Sequence, residues 1–245
     1  MRWRALFVVV VVVAVIALSP ELALAGPGGK IATAIARSFW GRIALTALAI
    51  VLLPLILYVV AKEWVAERRA TRALRQLRAL QPAFDWLTMK DRVTECFHRV
   101  HAAWRKEDMA QASAWMTDWY WQNQQLAHLN RWAEEGLLNR CSVKSVGRIR
   151  PLHVACRDAD GQLSGSRVVV GVTAKMEDYL EERATGKVIE GEKGYKDVET
   201  VWTFELLRGA WRVANIEEDA LTLAYAQMTN ELPEVLAQPA AVRRA

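Results

Sequence analysis

Residues 197–216 read DVETVWTFELLRGAWRVANI. Val198, Thr200, Trp202, Phe204 and Leu206 recur at every second position, and Trp211, Val213 and Asn215 resume the alternation after Arg208-Gly209. A period of two puts each set on one face of an extended strand, and a two-residue break containing Gly joins the strands as a tight hairpin. Such a pair must belong to a larger sheet, because an isolated hairpin is marginal in water. The same period runs upstream, strictly through Val168, Val170, Val172, Ala174 and Met176, and again through Leu152, Val154 and Cys156. Residues 143–149 are out of step with the latter set, which predicts a bulge near Pro151. Asp158-Ala159-Asp160-Gly161 reads as a turn, and residues 181–197, polar and carrying Gly186, Gly191 and Gly194, read as a loop.

Ahead of residue 137 the period changes to that of a helix. Val93, Phe97, Val100 and Trp104 share one helical face; Trp115, Trp119, Leu126, Leu129 and Ala133 continue the period through one helix or two, and Gly136 stops it. A last helix spans about residues 218–231 and ends before Pro233. Helices followed by meandering strands predict an α+β domain over residues 83–232, with helices packed on one face of a curved antiparallel sheet. A cone of the cystatin-like or nuclear transport factor two-like type is the expected architecture, with residues 233–245 as a disordered tail.

The first third of the chain reads differently. Residues 43–60 contain no charged side chain, and at 1.5 Å per residue they are about long enough to cross a hydrocarbon core of ~30 Å. Pro54 inside this run is tolerable in a bilayer. Residues 61–82 then turn basic, with Lys62, Arg68, Arg69, Arg72, Arg75 and Arg78 against Glu63 and Glu67. Ala66, Ala70, Leu74 and Leu77 fall at helical spacing there, and most of the arginines lie elsewhere around the helix. Two readings suit that pattern: a solvated stalk, or a basic helix against anionic headgroups with the six cations at the membrane surface. Residues 1–25 have the layout of a secretory signal, or of an uncleaved signal anchor, and residues 26–42 form a short linker. With the signal cleaved the protein crosses once, with it kept twice, and both routes leave the C-terminal domain in the cytoplasm, in keeping with the positive-inside rule.

Charge and motif content exclude several classes of function. The net charge of +5 divides into +4 before residue 43, +4 over residues 61–82 and −3 over residues 83–245. The basic balance thus belongs to the membrane flanks, and the domain carries no footprint for nucleic acid. Cys96, Cys141 and Cys156 are too far apart for a zinc site or a disulfide framework and read as buried reduced thiols. His98 and His101 lack further ligands for a metal. No nucleophile motif, phosphate loop or dinucleotide fingerprint is present. Asp178 beside Tyr179 invites an isomerase analogy, but neighbours on a strand point to opposite faces. The chain therefore reads as a non-enzyme with no cofactor. Eleven Trp are many for this length. Core packing accounts for most of them, above all Trp104, Trp119 and Trp202. The functional alternative is an apolar pocket or partner-binding surface at Trp202, Phe204, Val170, Val172 and Trp211, able to take an acyl chain or an apolar peptide.

The hairpin of residues 197–216, preceded by YLEERATGKVIEG (residues 179–191) and by FHRVHAAWRKEDMAQASAWMTD (residues 97–118), resembles the Tim44-like domain over roughly residues 84–220. Trp202-Thr203-Phe204, followed by Trp211 and Ile216, looks like the W-x-F strand of that family leading into its W-x-(apolar)-x-x-I strand. Here the hairpin is very short, a basic helix stands in place of a Gly-rich linker, and the chaperone-binding segment of the mitochondrial branch has no counterpart. The resemblance implies a membrane-tethered adaptor or scaffold of the bacterial inner membrane, acting in protein transport or membrane-protein assembly. Its partners would be anionic lipids, a protein, and in some settings a second copy of itself. A secretion-apparatus subunit with a periplasmic cone domain is the first alternative, and a lipid- or small-molecule-binding pocket protein the second.

Overall fold

The computed structural model describes residues 39–157 and 161–233, apart from several side chains between 39 and 49. The expected signal segment, most of the linker, residues 158–160 of the expected turn and nearly all of the expected tail lie outside the described residues. The chain divides into two compact units, residues 1–61 and 62–245.

Helix α1 (Phe39–Leu77) begins in the first unit and carries Pro54 within it. Most of its described apolar side chains there are exposed, Val51 at 71% and Ile50 at 66% among them. Among the described residues no helix is long and apolar enough to cross a membrane.

In the second unit the last four turns of α1 bury Ala66, Ala70, Ala73, Leu74 and Leu77. Helix α2 (Trp86–Arg105) follows a short 3-10 turn at Pro82–Phe84. Asp85 caps it by accepting from the Thr88 amide, an interaction typically contributing ~1 kcal/mol. Its buried stripe of Met89, Val93, Cys96, Phe97 and Val100 lies on the sheet, and each such large apolar side chain gains roughly 1.5–3 kcal/mol from burial.

The next stretch departs from the expected continuous period. A 3-10 turn (Met109–Ala112), α3 (Asp118–Gln124), a π-helical turn (Gln125–Asn130) and α4 (Arg131–Glu134) bury Met109, Ala112, Met116, Tyr120 and Leu129. Trp119, expected in the core, is 69% exposed, and Leu126 is exposed as well. The buried set at 109, 112, 116 and 120 belongs to no single helix: Met109 and Ala112 lie on the 3-10 turn, Met116 bridges Val213 of β4, and Tyr120 lies on α3. The π turn adds a residue per turn and brings Leu129 inward while leaving Leu126 outside.

Four strands form one antiparallel sheet in the order β1-β2-β3-β4: β1 (Leu137–Ala155), β2 (Arg167–Glu182), β3 (Val188–Leu207) and β4 (Ala210–Glu218). Register shifts in β1 at Val143/Ser145, Val146/Ile149 and Pro151/His153 include the irregularity expected near Pro151. Arg208 and Gly209 both have positive φ, 51° and 76°, which makes the β3–β4 connection a type I′ hairpin whose twist suits the strands. Val168, Val170, Val172, Trp202, Phe204 and Val213 face α2, while Leu152, Val169 and Val201 form a small second cluster with Tyr225 of α5 (Thr222–Gln227).

Two expected elements are corrected. Residues 181–197 are not a loop: β2 runs to Glu182, and β3 pairs back from Val188 through Leu180↔Glu190, Tyr179↔Gly191 and Asp178↔Glu192. Residues 189–197 are exposed, so backbone pairing holds this ribbon and no apolar alternation marks it. The C-terminal helix is shorter than expected. After α5 the chain extends, and the Glu231 amide donates to Val154 O at 2.9 Å while the Cys156 amide donates to Glu231 O at 2.8 Å, adding a parallel bridge to the edge of β1.

Candidate functional site

A cavity of about 300 Å³ opens between α2, the segment from Met109 to Trp132, and the sheet. Trp202 lies against it from β3, fully buried, with its indole Nε1 donating to Thr200 Oγ1 at 2.8 Å and its ring 5.0 Å from that of Phe97. His101, one turn after Phe97 on α2, packs over Trp202 at 5.8 Å between ring centroids. Its Nδ1 donates to Phe97 O at 2.7 Å, which assigns the neutral tautomer and leaves Nε2 as an acceptor. Burial pushes the imidazole down to about 4, so it is uncharged near neutrality.

The polar side of the cavity is a relay. Trp104 Nε1 on α2 donates to Asn139 Oδ1 at 2.9 Å, and Asn139 Nδ2 on β1 donates to Asp178 Oδ1 on β2 at 2.8 Å. Burial raises the Asp178 carboxyl above its ordinary value, with Asn139 and Lys196 opposing. Asp178 is nonetheless open to solvent on one side, which places it at the rim. Opposite stand Trp132 and His128, each within 6 Å of Trp104 between ring centroids. Burial lowers the His128 imidazole as well, with Arg131 adding to it. The Tyr120 hydroxyl accepts from the Ile216 amide at 2.9 Å, and burial raises its phenol. The soft side chains of Met109, Met116, Met176 and Cys141 complete the wall. All three cysteines are buried and none is in a disulfide, and burial raises Cys96 and Cys141 to about 12, which makes these two inert as nucleophiles.

Of the residues expected to line a pocket, Trp202 does so. Val170, Val172 and Phe204 lie on the same face of the sheet but are sealed in the core. Trp211 lies elsewhere, edge-on to Phe84 at 5.2 Å and donating from Nε1 to Ala83 O at 2.7 Å. Asp178 lines the cavity and Tyr179 does not; Lys193 sits over the Tyr179 ring at 5.4 Å. Asn139, His101, His128 and Trp132 were not among the residues expected to line a pocket, because register between β1 and β2 and the π turn bring them together and no short spacing announces it.

The six basic residues of 61–82 separate by direction. Arg69 turns toward the C-terminal segment and donates to Ala226 O at 3.1 Å and to Met228 O. Arg78 pairs with Asp85 at 3.0 Å. Arg68, Arg72 and Arg75 lie on the helix face opposite the buried alanines and leucines, with Arg68 stacked over Trp64 at 3.6 Å. Lys62 is exposed. Glu63 and Glu67, the acids of this stretch, pair with Arg150 and Arg148 of β1.

A family model for the Tim44-like domain matches residues 70–218. No curated protein matches the chain. Among solved structures, the crystal structure of the intermembrane space region of the chloroplast protein ARC6 aligns at 12% identity, covering 55% of this chain and 95% of that one. Its TM-score is 0.38, too low to carry an argument.

Proposed function

Since the chain belongs to the Tim44-like domain family, we propose that it is a membrane-tethered adaptor of the bacterial inner membrane, acting in protein transport or membrane-protein assembly. The family is generally non-enzymatic, and we extend that to this chain. The carrying observation is the sidedness of α1 beyond residue 62. One stripe, Ala66 to Leu77, is spent on the domain, while Arg68, Arg72 and Arg75 point the other way, and the uncharged run of residues 43–60 lies just ahead in the same helix. An apolar run of that length ahead of an outward row of cations suits a bilayer core followed by anionic headgroups. The expected cone is supported by the three register shifts of β1, since bulges bend a strand.

Topology is the test. Gly191 is unsuitable for a reporter cysteine, because its φ of 78° and a Cβ only 2.8 Å from Asp178 O forbid a side chain. Glu192 is exposed and takes its place. In intact cells a Glu192→Cys protein should resist impermeant thiol reagents and react after permeabilisation. Labelling from outside would move the domain to the periplasm and favour a secretion-apparatus subunit. The cavity around Trp202 serves, in this reading, as the seat of a ligand or of a partner's side chain.

A further inference from the structure

The charges around the cavity are one-sided. Asp178 is its carboxylate, among the described residues no lysine or arginine lines it, and burial lowers both of its imidazoles. Asn139 occupies Asp178 Oδ1, and among the described residues nothing donates to Oδ2. Lys196 and Glu190 act on this carboxyl from outside the lining with opposite signs. Beside it, Trp104, His128 and Trp132 stand mutually within 6 Å, Trp104 edge-on to Trp132 and His128 tilted against both, and form one packed aromatic wall of the cavity. The relay from Trp104 through Asn139 fixes the carboxylate next to that wall. Aromatic faces carry negative potential, and an aromatic wall beside an acid attracts organic ammonium groups. An anionic head would meet Asp178, and among the described residues no lysine or arginine lines the cavity to pair with it. At about 300 Å³ the space is at the small end for ligand pockets, enough for a head group and a few carbons but not for a long acyl chain.

We propose that the cavity binds an organic ammonium group, with the aromatic wall of Trp104, Trp132 and His128 against the cation and Asp178 as its counter-charge. This deepens the reading of the cavity as a ligand seat and rests on it. The ammonium is carried either by a free amine or by a lipid head group.

The test uses the full chain in maltoside micelles, followed by ligand-detected NMR titration with a matched set. Choline, 3,3-dimethylbutan-1-ol and 3,3-dimethylbutanoate share one shape and differ in charge. Choline should bind at least about tenfold more tightly than the alcohol, and the butanoate more weakly than either. Asp178→Asn should bring choline down to the affinity of the alcohol while leaving the alcohol unchanged. Trp132→Phe keeps a ring with a weaker quadrupole and should reduce choline binding severalfold at an unaltered melting temperature. Glycerophosphocholine separates the sources: affinity equal to that of choline assigns a lipid head group, and much weaker affinity assigns a free amine, both within the proposal. Alcohol binding as tight as choline overturns the ammonium assignment and leaves an apolar ligand seat. Failure of all three probes removes the ligand-seat reading itself, and the proposal with it.

Discussion

Arg150 of β1 donates from its guanidinium to the carboxylate of Glu63 on α1, 87 positions earlier in the chain. A second nitrogen of the same group donates to Glu199 on β3, and the arginine is 5% exposed. Within the second unit these contacts tie α1 to β1 and β3. Removing one partner of a buried ion pair leaves a desolvated charge, at a cost of roughly 3–5 kcal/mol. Arg150→Leu, which removes the guanidinium from between two carboxylates, should therefore destabilise the domain in urea denaturation, by no more than that because Glu199 keeps part of its solvent. Glu63→Gln should cost clearly less, since Glu199 still faces the guanidinium. Gly171 lies beneath it, and an added Cβ would come within 3.1 Å of Arg150 Nε and 3.3 Å of Glu199 Oε1. Gly171→Ala should cost about 1–3 kcal/mol by overpacking.

Gly191 and Gly186 sit in the same ribbon, both at positive φ, and should respond differently to alanine. At Gly191 the new Cβ would meet Asp178 O at 2.8 Å and Tyr179 Cα at 3.0 Å, backbone that cannot step aside. At Gly186 nothing lies within 4 Å. Gly186→Ala should cost only the left-handed strain of about 1–2 kcal/mol. Gly191→Ala should cost more and abolish amide protection over residues 188–192 in hydrogen exchange. Equal effects would mean that the ribbon is not paired in this register.

What the sequence made legible follows from which forces leave a periodic mark. The stripe Ala66, Ala70, Leu74, Leu77 was readable and is buried as one face, because burial repeats with the helix. The face of Trp202, Phe204 and Leu206 was readable for the same reason. Residues 181–197 were not, since a ribbon exposed on both sides is held by backbone bonds that any side chain permits. Trp119 misled because size was taken for burial: its neighbour Tyr120 is inside, with its hydroxyl satisfied by the Ile216 amide, while the indole of Trp119 remains in solvent. The relay from Trp104 through Asn139 to Asp178 joins one helix to two strands, and a polar contact between distant elements has no period at all.

His101 should impose a pH dependence on stability. Its folded value of about 4 lies below the ordinary histidine value of 6.5, because burial disfavours the imidazolium. The unfolded chain therefore takes up the proton first as pH falls. Stability is fully present above about pH 6.5, declines between there and about 4, and levels off below. The span corresponds to a loss of roughly 3 kcal/mol. His101→Phe keeps a ring over Trp202 and should flatten the difference between pH 7 and pH 4.5 relative to the parent protein. An unchanged pH profile in the variant would place the proton uptake elsewhere.

The outward row of cations on α1 carries the last prediction. Residues 83–245 are net −3, so an anionic leaflet repels the domain, and whatever draws it to the surface must come from residues 62–78. Arg69 and Arg78 are engaged within the domain, which leaves Arg68, Arg72 and Arg75 as the group turned away from it. If each contributes ~1 kcal/mol near the surface, changing these three to Gln removes about 3 kcal/mol, or on the order of a hundredfold in partitioning. The compact unit of residues 62–245, prepared alone, should sediment with anionic vesicles at low salt. It should release as salt rises and the screening length shortens from ~10 Å to ~3 Å. The triple Gln variant should fail to bind with its melting temperature unaltered. Arg69→Gln should show the opposite pair of effects, retained binding with a lower melting temperature, because its guanidinium holds the carbonyls of Ala226 and Met228. Equal sedimentation with neutral and anionic vesicles would reduce the row to a solvated stalk.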